Sequence, residues 1–145
     1  MVDENYKHVL VAYDGSEDAE KALFKSVNIA KRNDAKLTVA YVIDMREAHL
    51  FPDKPGKVEE LADEHAEEMK RIMKAKIEAE NFNNYSIQIR KGNPKTAITY
   101  DLVEDVGADM VVCGSNGMDS YDHLVMGSTA ENIVRYSTVD VLVIK

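Results

Sequence analysis

Three glycines, Gly114, Gly117 and Gly127, are spaced with two and then nine residues between them, and Ser128 and Thr129 follow the last. Glycines in such a run let the main chain approach an anion closely, adopt positive φ and turn successive N–H groups toward phosphate oxygens. Two hydroxyls beside the third glycine add donors. The chemistry this suggests is holding phosphate rather than cleaving it, because the G-x4-G-K-[ST] lysine of a hydrolysing loop is missing. The stretch "GSNGMDSYDHLVMGST" also carries Asp119 and Asp122 and no Lys or Arg, so its own charge opposes a polyphosphate. His123 would supply positive charge only in mild acid. A glycine-rich surface turn before a well-capped helix is the competing reading. A second candidate is Asp14, which either offers a carboxylate to a ligand or forms a turn with Gly15.

These residues need elements to position them. "YKHVLVAYD" is a short apolar run that stops at Asp-Gly, the pattern of a strand buried on both faces. Ser16 then caps a helix running to about Asn33, with Ala19, Ala22, Leu23, Val27 and Ala30 on one face. "AKLTVAYVID" is a second strand and "MREAHLFPDKPG" a loop. From Lys57 to about Glu80, Val58, Leu61, Ala62, His65, Met69, Ile72, Met73 and Lys76 mark the stripe of a charged second helix. "YSIQIRKG" alternates as a third strand. Asn93 caps and Pro94 opens a third helix that Gly107 stops. "ADMVVCG" is strand four, Ser128 to about Tyr136 a last helix, and "VDVLVIK" strand five.

Strands alternating with helices predict a single α/β domain over residues 1–145, a doubly wound five-stranded parallel sheet with helices on both faces. Ligands of such sheets sit outside the carboxyl ends of the strands, where strand order reverses. Asp14, the Val42 to Asp44 end, Arg90 to Asn93 and the loop after Cys113 all fall there.

Composition narrows the function classes. Asp plus Glu number 26 against 18 for Lys plus Arg, a net charge of −8, which disfavours nucleic acid as a partner. The apolar runs are too short to span a bilayer, and no membrane partner is expected. "MVDENYKHV" is acidic and polar where an export signal is basic and then apolar, so the expected compartment is the cytoplasm. The lone Cys113 reads as core, and no His or Cys spacing marks a metal site.

With "HVLVAYDGSEDAEKAL", "VAYVID", "GNPKTAI", "GADMVVCGSNG" and "GSTAENIVRYSTVDVLVIK" in place, the whole chain resembles the nucleotide-binding branch of the universal stress protein family, whose loop reads G-x2-G-x9-G-[ST]. The resemblance implies the five-stranded fold, here expected in the order 3-2-1-4-5, an adenine nucleotide (ATP or AMP), and a homodimer through the C-terminal strand. It implies that Ala12 and Tyr13 form wall, that the Val42 backbone meets adenine, and that Asp14 lies by the sugar, the phosphates or a bound Mg or Mn. Gly114, Asn116, Gly117, Gly127, Ser128 and Thr129 would hold phosphates. Where family members often carry basic residues, this chain has Asn116 and the acidic insert "MDSYDHLVM". The implied role is a stress sensor or regulator. Slow ATP hydrolysis, with Asp14 or His123 as base, and a dimeric interaction module without nucleotide are the alternatives. A phosphoacceptor domain is disfavoured, since strand three ends "RKG" with no aspartate.

Overall fold

The computed structural model describes residues 5–45, 58–116 and 126–145. Five strands, β1 (His8–Ala12), β2 (Lys36–Asp44), β3 (Tyr85–Gly92), β4 (Met110–Gly114) and β5 (Asp140–Ile144), alternate with helices. The helices are α1 (Glu17–Asn33), α2 (Val58–Glu78), α3 (residues 94–106) and α4 (Ser128–Tyr136). All strand pairs are parallel and the sheet order is β3-β2-β1-β4-β5, as the alternating pattern and the resemblance require. The order reverses at β1, which pairs with β2 on one side and β4 on the other.

Side-chain alternation along the strands feeds two cores. Val9, Val11, Leu37, Val39 and Val112 pack against Leu23 and Val27 of α1 and Met73 and Ile77 of α2. Leu10, Ala40, Val111 and Cys113 pack on the other face against Ile98 and Leu102 of α3 and Ala130 and Ile133 of α4. Each fully buried aliphatic side chain contributes about 1.5–3 kcal/mol. Cys113 lies in this second core, where burial pushes its thiol up to about 12, so it packs as a hydrophobe.

The helix ends follow their sequence signals. The Ser16 hydroxyl accepts the Ala19 N–H at 3.2 Å, and Asn93 accepts the Lys95 N–H at 3.1 Å ahead of Pro94. Gly107 closes α3 at φ 71°, a left-handed position where glycine carries no Cβ penalty. Within α3 the bonding changes to a π-helical run over Ala97–Leu102, which the sequence did not announce.

Three sequence expectations are corrected. Four strands are shorter than expected: β1 spans His8–Ala12 rather than Tyr6 to Asp14, β4 starts at Met110 rather than Ala108, β2 at Lys36 and β5 at Asp140, because the residues cut away belong to the flanking turns. The α2 stripe is narrower than its apolar pattern: Ala62, Met73 and Ile77 are buried, whereas Leu61 and Ile72 are exposed at 38% and 37%. Ile77, missing from the expected stripe, takes the inner place beside Met73 that Ile72 was given. The third correction concerns the glycines of the loop and is taken up with the site. The expected loop over 46–56, Gly117, Asp119, Asp122 and His123 lie outside the described residues.

Candidate functional site

The carboxyl ends of β1 and β4 meet the first turn of α1 at the sheet's reversal point. A Cβ added at Gly114 would lie 2.7 Å from Asp18 Cβ, 2.8 Å from the Asp18 carbonyl carbon and 3.0 Å from the Ala19 nitrogen. Gly114 is therefore glycine because α1 packs directly on the end of β4. Neither Gly114 nor Gly127 has a positive φ, and Gly127 is extended at φ −63° and ψ 157°. The expectation that these glycines supply left-handed turns is corrected. The left-handed glycine of this region is Gly15, at φ 84°.

Asp14 is exposed, and its Oδ1 accepts the Ser16 N–H at 2.9 Å, so it does form the turn that starts α1. Tyr13 is buried, and its hydroxyl donates to Glu20 Oε1, whose other oxygen accepts from Lys76 Nζ at 2.9 Å. Burial first, and then the Glu20 hydrogen bond, push the Tyr13 hydroxyl well above its ordinary range. Ala12 and Val42 are half-buried on the α3 and α4 face. β2 continues past the end of β1. Because Tyr13 N–H donates to the Ala40 carbonyl at 2.9 Å, the parallel pattern turns the Val42 main chain toward the side that β1 has left.

Beyond Gly114 the chain is tied down by side chains that the motif did not reveal. Ser115 Oγ and the Asn116 N–H both donate to Asp18 Oδ2, at 3.0 and 3.2 Å. Asn116 Nδ2 donates to Ser115 Oγ at 3.3 Å, and Ser16 Oγ donates to the Asn116 carbonyl at 3.4 Å. The Ser115 N–H donates to the Ile144 carbonyl at 2.8 Å, and the Gly127 N–H returns to the Ser115 carbonyl at 2.6 Å. Gly127, the N-cap of α4, offers no side chain to the helix. Among the described residues nothing accepts from the N–H groups of its first turn, at Ser128 and Thr129, and the positive end of the helix dipole lies behind them.

Ala12, Tyr13, Asp14 and Gly114 fall at the carboxyl ends of β1 and β4, Val42 on neighbouring β2, and Asn116 and Gly127 are tied to the same end through Asp18 and Ser115, while the Tyr13 side chain packs in the α1 and α2 core, on the face opposite Ala12 and Val42. Asp18 and Ser115 are the residues that sequence reading missed. Asp18 showed only as a first-turn acid suited to the dipole of α1, and nothing local ties it to a partner ninety-seven residues away. Among the described residues no three His, Cys, Asp or Glu side chains gather as a metal site. No helix among them is long and apolar enough to cross a membrane.

A model of the Universal stress protein family matches residues 5–145. The chain belongs to this family. A relative from Staphylococcus saprophyticus, named for the same family, is 37% identical over 140 residues, which cover 97% of this chain and 84% of that one. The solved structure of universal stress protein UspA from Lactobacillus plantarum is 31% identical, with a TM-score of 0.84 over 99% of this chain and 100% of that one. Two more distant structures share the fold. One is a universal stress protein in complex with cAMP, 24% identical, TM-score 0.69, covering 98% of both chains. The other is the universal stress protein from Archaeoglobus fulgidus in complex with dAMP, 20% identical, TM-score 0.68, covering 97% of this chain and 98% of that one.

Proposed function

We propose that this universal stress protein binds an adenine nucleotide, ATP or AMP, between the carboxyl ends of β1 and β4 and acts in the cytoplasm as a stress sensor or regulator. The observation that carries the reading is the start of α4: a first helical turn with no capping side chain, held at the sheet's reversal point by the Gly127 to Ser115 hydrogen bond. The cAMP and dAMP complexes of relatives with this fold support it. In this reading Ser128 and Thr129 meet the phosphates, the Val42 main chain meets the base, Ala12 and Tyr13 form wall, and Asp14 approaches the sugar or a phosphate-bound Mg or Mn with its free oxygen. Gly114 and Asn116 shape the floor, and Gly117 belongs to the same loop. Occupancy would alter conformation or partners, and no catalytic machinery is needed.

The test is to denature the purified protein, identify any released nucleotide, and titrate the emptied form with AMP, ADP and ATP. Gly127→Asp is the informative variant. Gly127 has the extended backbone of an N-cap, so an aspartate there fits without strain and occupies the open N–H groups itself. It should preserve the melting temperature or raise it slightly, because aspartate stabilises an N-cap over glycine by only about a few tenths of a kcal/mol, while abolishing nucleotide binding. Unchanged affinity would place the site elsewhere.

The same reading includes a homodimer through β5. That strand is at the edge of the sheet, and its residues from Val141 to Ile144 are only partly buried. Light scattering at micromolar concentration should give twice the chain mass; a monomer would refute the pairing.

A further inference from the structure

Thr129, Asn132 and Tyr136 follow one another on α4 at helical spacing, which puts them on one flank of the helix. That flank faces α3. Asn132 Nδ2 donates to the Lys95 carbonyl at 3.2 Å and to Thr99 Oγ1 at 3.1 Å, so the amide is spent on two acceptors one turn apart on the neighbouring helix. A turn further along, the Tyr136 ring meets Tyr100 of α3 with centroids 6.3 Å apart.

Resting on the nucleotide reading, we propose that Asn132 is the positioning residue for the phosphate end of the site: its amide fixes the rotation of α4, and with it the aim of the Ser128 and Thr129 N–H groups.

The rest of α4 leaves that rotation loosely set. It is nine residues long, shorter than the roughly 12–15 at which a helix begins to hold by itself. Its geometry therefore comes from what it packs against. Its buried side chains are Ala130 and Ile133, and apolar contact of this kind has no preferred direction, so a short helix can roll on it. Val134, Tyr100 and Tyr136 are exposed. The Gly127 N–H to Ser115 carbonyl bond ties the start of the helix to the end of β4 at one point, about which it can still turn. The Asn132 amide is planar and its two N–H bonds diverge at a fixed angle, so meeting two acceptors at once removes the remaining freedom.

The anchor on α3 is itself firm. Thr99 is buried within the π-helical run over Ala97–Leu102, between Ile98 and Leu102, which pack in the core beneath α3 and α4. A buried hydroxyl requires a partner, and the Asn132 amide supplies one. The clamp lies one turn from Thr129. Rolling α4 by about 25° would carry a Cα, about 2.3 Å from the axis, through roughly 1 Å. A hydrogen bond tolerates about half of that.

In the nucleotide reading the base and sugar are met by β1 and β2, whose main chain is set by the sheet and not by α4. Loss of the clamp should therefore weaken the hold on phosphate and spare the nucleoside. A merely structural role would weaken both together.

Calorimetric titration of the emptied protein with AMP and with adenosine reads this difference. Asn132→Leu keeps the bulk and removes the amide; it should weaken AMP by about tenfold, the worth of one charge-assisted hydrogen bond, and adenosine by less than about twofold. Thr99→Val removes one acceptor from the other helix and should give part of the same loss, while Thr99→Ser, which keeps the hydroxyl, should retain wild-type affinity for AMP. The two Thr99 variants decide the point even if Asn132→Leu does not fold. Equal losses for AMP and adenosine, or unchanged AMP affinity in Asn132→Leu and Thr99→Val, overturn the role of Asn132 and leave the nucleotide site standing. A wild type that binds neither ligand overturns the nucleotide reading and this inference with it.

Discussion

Gly114→Ala separates two reasons for a glycine at the end of β4. If the residue is small so that a nucleotide can approach, alanine should reduce binding and leave stability alone. The structure predicts the opposite order of effects. The new methyl would stand 2.7 and 2.8 Å from two carbons of Asp18 and 3.0 Å from the Ala19 nitrogen, against a comfortable carbon–carbon separation of about 3.5–4.0 Å. Two of those three contacts are main chain, so a rotamer change cannot relieve them, and α1 must shift by roughly 1 Å. The helix resists, because Ala22, Leu23 and Val27 are fully buried beneath it. Overpacking of this kind costs about 1–3 kcal/mol, and the ordinary gain from replacing a strand glycine returns only about 0.5–1 kcal/mol. At about 2–4 °C per kcal/mol for a chain near this length, the melting temperature should fall by several degrees. Thermal unfolding followed by circular dichroism reads this directly. Adding Asp18→Gly to Gly114→Ala relieves only one of the three close contacts and also deletes the carboxylate that holds Ser115 and Asn116, so it should recover none of the loss. A melting temperature equal to or above that of the wild type would refute the close approach as the reason for Gly114.

Other consequences can be checked in the same way. His8 Nε2 lies 2.6 Å from Thr38 Oγ1, and burial, then Lys36, lower its pKa from the usual 6.5, outweighing Asp109 and the Val106 carbonyl. The folded state thus binds its proton less readily than the unfolded chain. Its contribution is complete above pH 6.5 and is lost as the pH falls below it. The urea midpoint should drop across that window, and His8→Gln should flatten the drop; an unchanged slope would contradict the assignment. Tyr13→Phe removes the donor to Glu20 and should cost about 1 kcal/mol in urea unfolding, so a variant as stable as the wild type would show the bond to be idle. Cys113, with its thiol pushed up to about 12 by burial, should be labelled by thiol reagents only as fast as the chain opens. Rapid labelling of the native protein would place it nearer the surface.

The sheet was readable because its information is local. Apolar runs such as "HVLVA" and "MVVCG" have one stable use, as strands covered on both faces, and Ser16, Asn93 and Gly107 mark helix ends through hydrogen bonds or dihedrals within a few residues. The face of α2 was less legible. In a helix so rich in Lys and Glu, Ile72 and Ile77 look equivalent until the sheet beneath selects one of them. The π-helical run over Ala97–Leu102 has no side-chain signature. The site divides along the same line. Gly127 and Ser128 could be placed at the start of α4 from sequence, whereas the hold of Asp18 on Ser115 and Asn116 exists only once β1 and β4 are neighbours. The glycine spacing did not reveal that α1 packs on the end of β4 and leaves no room for a Cβ at Gly114, nor that Gly114 and Gly127 lack positive φ.

The central place of β1 also governs how the molecule comes into being. Val9 pairs with Leu37 on one side and with Met110 on the other. At ribosomal speeds of about 5–20 residues per second, the second partner emerges roughly 4–15 s after the first. Through that interval a growing chain can build β1, β2 and β3 with α1 and α2 over one face, while Leu10 and Ala40 await α3 on the other and one edge of β1 has no neighbour. Such an edge invites pairing with another nascent copy. The strand best protected in the finished protein is thus the one most in need of shelter while it is being made.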